Sequence, residues 1–358
     1  MRWSILVLVV LIPFVFALEN ECANPHEAWI WCDDFEEDRL ESYFEYVDRD
    51  GAFTRQPGVG VDGSYGMQVV FEQGAVDVGN LKLAVGAQPS TYFRPVDDGI
   101  ENYTELYWRM YLRHQDGWVG GGAAKLSRAT TILSPGWAQG ILAHVFSMGC
   151  QDTGLDACLG LDPASGIGAD GTVRSTRYND WPNLRWLGAQ AGTKPLFSSE
   201  HVGEWFCIEA YARLNDPGQS NGVFRLWIND ELDAEGTGIN WVGNYQGYGI
   251  NNIFFENYWN DGSPTRQERY FDNIVVSTER IGCETPSEAQ EPEAPHRPEG
   301  DVTGDGQVGL ADLLAVVSVL GRSVGEPGVN AFADQNGDGV IDLFDVVIVA
   351  RNIGRTAG

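Results

Sequence analysis

Residues 105–113 read ELYWRMYLR. Leu106, Trp108, Met110 and Leu112 are apolar and fall on every second position, with Tyr107, Arg109, Tyr111 and Arg113 between them. Strict alternation over this length predicts a β-strand buried on one face only. Two arginines and two tyrosines on the other face raise the question of what that face meets. Working outward, the same period recurs in GMQVVFE, AHVFSM, WFCIEAYARL, VFRLWIND, NNIFFENYW and RYFDNIVVS, between turn signals such as NDPGQSNG and WNDGSP. Long helical periodicity is absent from residues 18–283. The pattern predicts an all-β jelly-roll sandwich of two sheets packed face to face.

Three stretches carry a family resemblance: YWRMYLRHQDGWVGGGAAKLSR, GEWFCIEAYARLNDPGQSNGVFRLWINDE, and INNIFFENYWNDG followed by RYFDNIVVS. Together they resemble the concanavalin A-like jelly-roll polysaccharide lyases, the group of alginate and glucuronan lyases. The resemblance implies a carbohydrate-active domain cleaving a uronate-containing polysaccharide by β-elimination.

That reaction sets three chemical tasks. The uronate carboxylate must be neutralised so that the C5 proton becomes acidic, a base must remove the proton, and an acid must protonate the leaving oxygen at C4. Arg109 and Lys125 suit the first task. Tyr211 or Tyr107 suits the other two, with His144 as the alternative base, although a lone mid-strand histidine also suits a structural role. On WFCIEAYARL, Phe206, Ile208, Ala210, Ala212 and Leu214 are expected inside, leaving Glu209, Tyr211 and Arg213 outside. If this strand and residues 105–113 share a concave sheet, Tyr111, Arg113, Glu209 and Arg213 line the same substrate cleft; Glu209 and Arg213 could equally form a salt bridge. Lys125 follows three glycines, where a rim loop can come close to a ligand. Trp118, Trp137, Trp181, Trp186 and Trp241 fall in loops or near strand ends and are candidates for stacking on sugar rings. A glycoside hydrolase would need paired carboxylates. The E-x-D-x-x-E and E-x-D-x-E spacings of laminarinase-type jelly rolls are absent, and Glu256 and Glu209 stand unpaired. A non-catalytic carbohydrate-binding module is the remaining alternative.

The tail holds an internal repeat. DVTGDGQVGLADLLAVVSVLG opens at Asp301, and DQNGDGVIDLFDVVIVARNIG opens 33 residues later at Asp334. Each is an acidic loop leading into one amphipathic helix. Calcium takes six to eight oxygens spaced along a loop that turns at a glycine. The first loop offers Asp301, Thr303, Asp305 and Asp312 with the Gln307 carbonyl. The second offers Asp334, Asn336, Asp338, Asp342 and Asp345 with the Val340 carbonyl. Two calcium sites are expected, the first weaker because Thr303 replaces an acid or amide. Lacking an entering helix and ending each loop in Asp, residues 301–358 closely resemble a type I dockerin domain. This implies attachment to a cohesin on a scaffold or surface protein. Where the family often carries Ser-Thr at loop positions 10 and 11, this chain has Leu310-Ala311 and Leu343-Phe344. Residues 284–300, with four prolines and five glutamates, are expected to be an extended linker.

The formal net charge is −28. It argues against a nucleic-acid partner, and it demands that cations be gathered locally if the substrate is acidic. Among 23 basic residues only Lys82, Lys125 and Lys194 are lysines. The run from Ile5 to Phe16 has the build of a secretory signal peptide, with cleavage expected after Ala17. The run is too short to span a bilayer comfortably, and no later segment is long and apolar enough to span. The protein is therefore expected to be secreted, free or attached to a cell surface. Six cysteines allow 15 pairings. Cys150–Cys158 is expected across a short loop, and Cys32–Cys283 could tie the first strand to the last.

Overall fold

The computed structural model describes residues 21–61, 63–122, 125–283, 298, 300–324, 326, 329–336 and 338–355. The expected signal peptide and nearly all of the expected linker lie outside them. The chain divides into two compact units, residues 1–285 and 286–358.

The described residues of the first unit form the strands β1 Trp29–Asp33, β2 Glu45–Val47, β3 Phe53–Pro57, β4 Tyr65–Phe71, β5 Asp77–Ala84, β6 Glu105–His114, β7 Lys125–Ile132 and β8 Gln139–Gly149. There follow β9 Asp156–Ser165, β10 Arg185–Trp186, β11 Gln190–Ala191, β12 Trp205–Arg213, β13 Gly222–Ile228, β14 Glu231–Ile239, β15 Asn252–Tyr258 and β16 Gln267–Ser277. They make two antiparallel sheets. One runs β14-β13-β12-β6-β16-β4-β3, with β1 also pairing β16; the other runs β10-β9-β8-β7-β15-β5-β2, with β11 also pairing β9. This is the sandwich expected from the alternation.

The period of two places each strand's apolar set between the sheets. Leu106, Trp108, Met110 and Leu112 of β6 and Phe206, Ile208, Ala210 and Ala212 of β12 enter one core with Leu126, Ala143, Val145, Leu161, Ile253 and Phe255 of the facing sheet. On the outer side of that second sheet, Phe44, Phe93, Ile132 and Phe254 form a further apolar cluster, joined by Trp137 and Tyr178. It explains why every residue of β7 is buried.

The disulfides are Cys22–Cys32, Cys150–Cys158 and Cys207–Cys283. The second matches expectation. The Cys32–Cys283 link is corrected: hydrogen bonding to β16 sets Cys32 beside Val275, whereas Cys283 lies past the end of β16, where its amide donates to Asp230. Backbone pairing already joins the first and last strands, and each cysteine of the expected pair bonds elsewhere.

The glycine run before Lys125 also differs from expectation. Lys125 begins β7 rather than sitting on the loop, and the glycines are needed by the protein itself. Gly120 and Gly121 have φ of 90° and 76°, and a methyl group on Gly122 would fall inside the Phe197 ring. The Gly122 carbonyl accepts from the buried Arg269 guanidinium.

In the second unit, α1 Leu310–Val317 and α2 Leu343–Asn352 each follow an acidic loop. Val302, Val308, Val316, Val319, Ala333, Ile341 and Val349 form a small core. Asp312 and Asp345 stand at the third position of each helix, where their carboxylates accept from the Gly309 and Asp342 amides at 2.8 Å and satisfy otherwise orphaned donors.

Gly122→Ala is expected to destabilise the first unit by about 1–3 kcal/mol, as overpacking does, while Gly117→Ala, at an open turn of φ 76°, should cost less. Denaturant midpoints of both variants check this ordering.

Candidate functional site

The outer face of the second sheet carries a row of side chains, all polar but Phe254, set by strand register. Glu45, Lys82, Phe254, Arg128, His144 and Asp162 are successive cross-strand partners over β2, β5, β15, β7, β8 and β9. Beside this row lie Lys125 and its partner Tyr258, and Glu256, which is paired with Asn80. The row borders two pockets with cavity volumes of about 200 and 390 Å³, the second of a size suited to a small ligand or a sugar ring. Lys125 and Tyr258 line both, so the pockets adjoin.

One ion pair organises the floor. Arg128 Nη2 lies 3.0 Å from Glu256 Oε1, with the two residues 0% and 7% exposed. The same guanidinium donates to the Tyr178 hydroxyl and, at 3.2 Å, to Asn179 Oδ1. It therefore ties the floor to the segment after residue 175. His144 Nε2 faces Glu256 Oε2 at 3.6 Å. Burial alone would raise the Glu256 carboxyl, but Arg128, His144 and Lys125 outweigh it and hold the group well below its ordinary range. Burial, aided by the Arg128 charge, lowers His144 to about 4, so its imidazole is neutral at neutral pH. Burial raises the Asp162 carboxyl and the Tyr178 phenol.

Lys125 differs from the other cations here. Lys82 pairs with Glu45, and Arg128 with Glu256. The Lys125 ammonium has no carboxylate within salt-bridge distance among the described residues. It rests 4.0 Å from the Tyr258 ring centroid and 5.7 Å from that of Trp181, and the residue is 8% exposed. Burial lowers its pKa; Glu256 pulls back and Arg128 pushes further down. A desolvated cation facing a pocket without a counter-ion is a ready receptor for an anionic group.

Of the residues singled out in the sequence, Lys125, His144, Glu256, Trp181 and Trp186 meet here. β6 and β12 do lie side by side in one sheet, as expected; their expected meeting with Lys125 and His144 is corrected, because β7 and β8 belong to the other sheet and the outer faces of the two sheets lie on opposite sides of the core. Arg109 is fully buried against Glu21 and donates to the Gly282 carbonyl at 3.1 Å. It joins the start of the domain to its end, and its guanidinium lies 5.2 Å from the Tyr111 ring centroid. Tyr211 stacks on Tyr107 at 4.3 Å and donates to Glu105. Arg113 lies between the rings of Trp205 and Tyr270. Glu209 accepts from the Ile281 amide at 2.8 Å and pairs with Arg280 rather than Arg213, which donates to the Asn221 carbonyl. Packing and chain closure occupy that polar face. Tyr258, Arg128, Tyr178, Lys82 and Asp162 had no assigned role from sequence. Period-two alternation in NIFFENY does place Tyr258 and Glu256 outside, but in KLSRATTI the register shift between Lys125 and Ser127 breaks it, and Leu126 enters the core although it shares the parity of Arg128; nor can alternation supply which strands are neighbours.

In the second unit, carboxylate oxygens of Asp301, Asp305 and Asp312 lie within 4.8 Å of one another. Asp301 accepts from the Gly304 and Gly306 amides and Asp312 from Val302 and Thr303, which winds the loop around the cluster. The second loop repeats these bonds, Asp334 accepting from Gly339 and Asp345 from Gln335. Crowded carboxylate oxygens repel unless a cation joins them, and an all-oxygen set on a glycine-turned loop fits calcium. Asp301, Asp305 and Asp312 would hold it in the first loop, and Asp334, Asp338 and Asp345 with Asn336 in the second. Thr303 Oγ1 donates to Asp312 at 2.9 Å. Gln307 and Val340 offer backbone carbonyls, and Asp342 caps α2 by accepting from Phe344. Both helices also leave apolar side chains in solvent: Leu310 and Leu314 on α1, and Leu343, Phe344 and Val347 on α2, the most exposed being Phe344 at 70%.

Comparison with known proteins agrees with this division. Residues 299–354 match the dockerin type I domain, a calcium-binding module of extracellular proteins whose partner is a cohesin. No curated protein matches the chain. Among solved structures, it is similar to an endo-β-1,4-glucuronan lyase from the fungus Trichoderma reesei, at 11% identity and TM-score 0.45, covering 70% of this chain and 96% of that one. It is likewise similar to an alginate lyase from Aplysia kurodai (12%, TM-score 0.47, 70% and 99%) and to one from Chlorella virus (13%, TM-score 0.43, 66% and 99%). No helix among the described residues is long and apolar enough to cross a membrane.

Removing calcium with a chelator is expected to unfold the second unit, whose core is small, and to leave the first unit's thermal transition in place. Calorimetry with and without chelator checks this; two unchanged transitions would contradict it. Asp301→Asn is expected to abolish the weaker of two calcium-binding events in a titration.

Proposed function

We propose that the first unit cleaves a uronate-containing polysaccharide by β-elimination and that the second fastens it to a cohesin. The observation carrying the catalytic reading is the unpaired, desolvated ammonium of Lys125 beside the neutral imidazole of His144 in one pocket. In a chain of net charge −28, two of three lysines and Arg128 gather on this face. Lys82 and Arg128 are matched by carboxylates, which leaves Lys125 to receive the uronate carboxylate.

These placements support the following reaction. Lys125 pairs with the carboxylate and stabilises the negative charge that develops as C5 loses its proton. His144, already neutral, takes that proton. The C5–H electron pair becomes the C4–C5 double bond, the C4–O bond breaks, and the leaving oxygen takes a proton from the Tyr258 hydroxyl. Arg128 is a positioning residue: it holds Glu256 ionised beneath His144 and fixes Tyr178 above.

One observation favours a second reading, a glycoside hydrolase. Asp162 is pushed up and Glu256 down, and both neighbour His144. Carboxyls whose surroundings push them apart in this way suit an acid and a base.

For the second unit, the dockerin match and the solvent-facing Leu310, Leu343 and Phe344 support a cohesin contact with an apolar centre. Export is supported by three disulfides, which persist in oxidising compartments.

Lys125→Ala is expected to reduce formation of unsaturated product from alginate or glucuronan at least a hundredfold with the fold intact. Tyr211→Phe, on the opposite face, should stay within about threefold of wild type. Equal losses in both would sink the assignment. The acid limb of kcat/KM is expected near pH 4, not near the ordinary histidine value of about 6.5, because His144 must be neutral to accept the proton. A limb near 6.5 would remove His144 as the base. Phe344→Asp should weaken capture by a cognate cohesin at least tenfold, as measured by surface plasmon resonance.

A further inference from the structure

Trp181 and Trp186 lie at the edge of the pocket that holds Lys125 and His144. Their rings are nearly parallel, 9° apart with centroids at 6.1 Å. They are 41% and 55% exposed, and the tryptophans elsewhere among the described residues are less exposed than either. Open indole surface is costly in water, and here it is held in place rather than left to collapse. Asp180 accepts from the amide and hydroxyl of Thr176, both at 2.9 Å, and from Asn183 at 3.0 Å. The Asn179 amide donates to Gln139 at 2.7 Å, and Arg128 holds the Asn179 side chain. Trp186 is fixed by its ladder partner Ala164, and Arg185 donates to the Ile167 carbonyl at 2.8 Å. Both rings are therefore held in place, stacked on each other and still open to solvent.

We propose that Trp181 and Trp186 form a stacking platform for a pyranose ring of the polysaccharide, neighbouring the ring whose carboxylate meets Lys125. The C–H face of a pyranose is apolar and planar enough to lie on an indole, and it carries no charge of its own, so the platform reads chain length rather than acidity. Trp181, 5.7 Å from the Lys125 ammonium, sets the platform one ring from the reacting unit. This inference rests on the polysaccharide reading of the same site, but not on the reaction performed there.

The test uses the full chain with calcium, in gels containing alginate, glucuronan, polygalacturonate or a neutral β-glucan, together with kinetics on alginate and glucuronan oligomers of increasing length. Trp181→Ala and Trp186→Ala are expected to weaken retention about tenfold. They should also raise KM on long chains by a similar factor, and raise it less on the shortest cleaved oligomer. Trp186→Tyr, which keeps an aromatic face, should stay within about twofold of wild type. Unchanged retention and KM in the double alanine variant would overturn the platform while leaving the lyase reading standing. Retention that is lost in the double variant, without any unsaturated product from wild type, would uphold the platform and sink the lyase. A Trp186→Tyr loss as large as the alanine's would overturn stacking, and wild-type indifference to all four polymers would overturn both.

Discussion

The Arg128–Glu256 ion pair is the constraint on which the site depends. Both groups are out of water, so each would be costly without the other; breaking such a pair by removing one partner costs about 3–5 kcal/mol. The pair spans β7 and β15, and its cation reaches onward to Tyr178 and Asn179. Through Asn179 it anchors the segment that presents Trp181. Through Glu256 it sets the electrostatics around His144. Because Arg128 and Glu256 satisfy each other, the positive charge left over on this face belongs to Lys125. One matched pair thus creates one unmatched cation.

This arrangement reconciles a strongly acidic chain with an acidic substrate. A surface of net charge −28 repels a polyuronate at long range, although salt confines that repulsion to roughly 8 Å at physiological ionic strength. Inside a half-closed pocket the local charge decides, and there a desolvated ammonium acts at low effective dielectric. The acidic surplus is partly explained by the second unit, whose loops concentrate carboxylates for calcium. That unit has a small core and is expected to lean on the ion for its shape, whereas the sandwich rests on its two-sided core.

Much of this was legible in the sequence. Alternation in ELYWRMYLR gave the inward set of β6 correctly, and the same rule gave the inward set of β12. The tandem acidic loops announced the dockerin, because calcium ligation fixes residue types at fixed spacings within one short segment. The site was legible only in part. Lys125 and His144 were named, but they were assigned with Arg109 and Tyr211, which lie on the other sheet. Period two tells which side of a strand a residue takes; it does not tell which sheet the strand joins, since that depends on long-range pairing. The Arg/Tyr face of β6 looked functional because cations and aromatic rings serve ligands. Here they serve Glu21, Gly282, Trp205 and Tyr270 in closing the domain. The glycines before Lys125 misled in the same way: they admit Phe197 and Arg269 rather than a substrate.

The most direct test of the central claim follows two signals from one reaction. The full chain, with calcium, is incubated with alginate and with glucuronan, and the ultraviolet absorbance of a C4–C5 double bond is recorded alongside new reducing ends. Both are expected to rise together on a uronate polymer, one double bond for each reducing end. Reducing ends without the double bond would contradict β-elimination and favour hydrolysis.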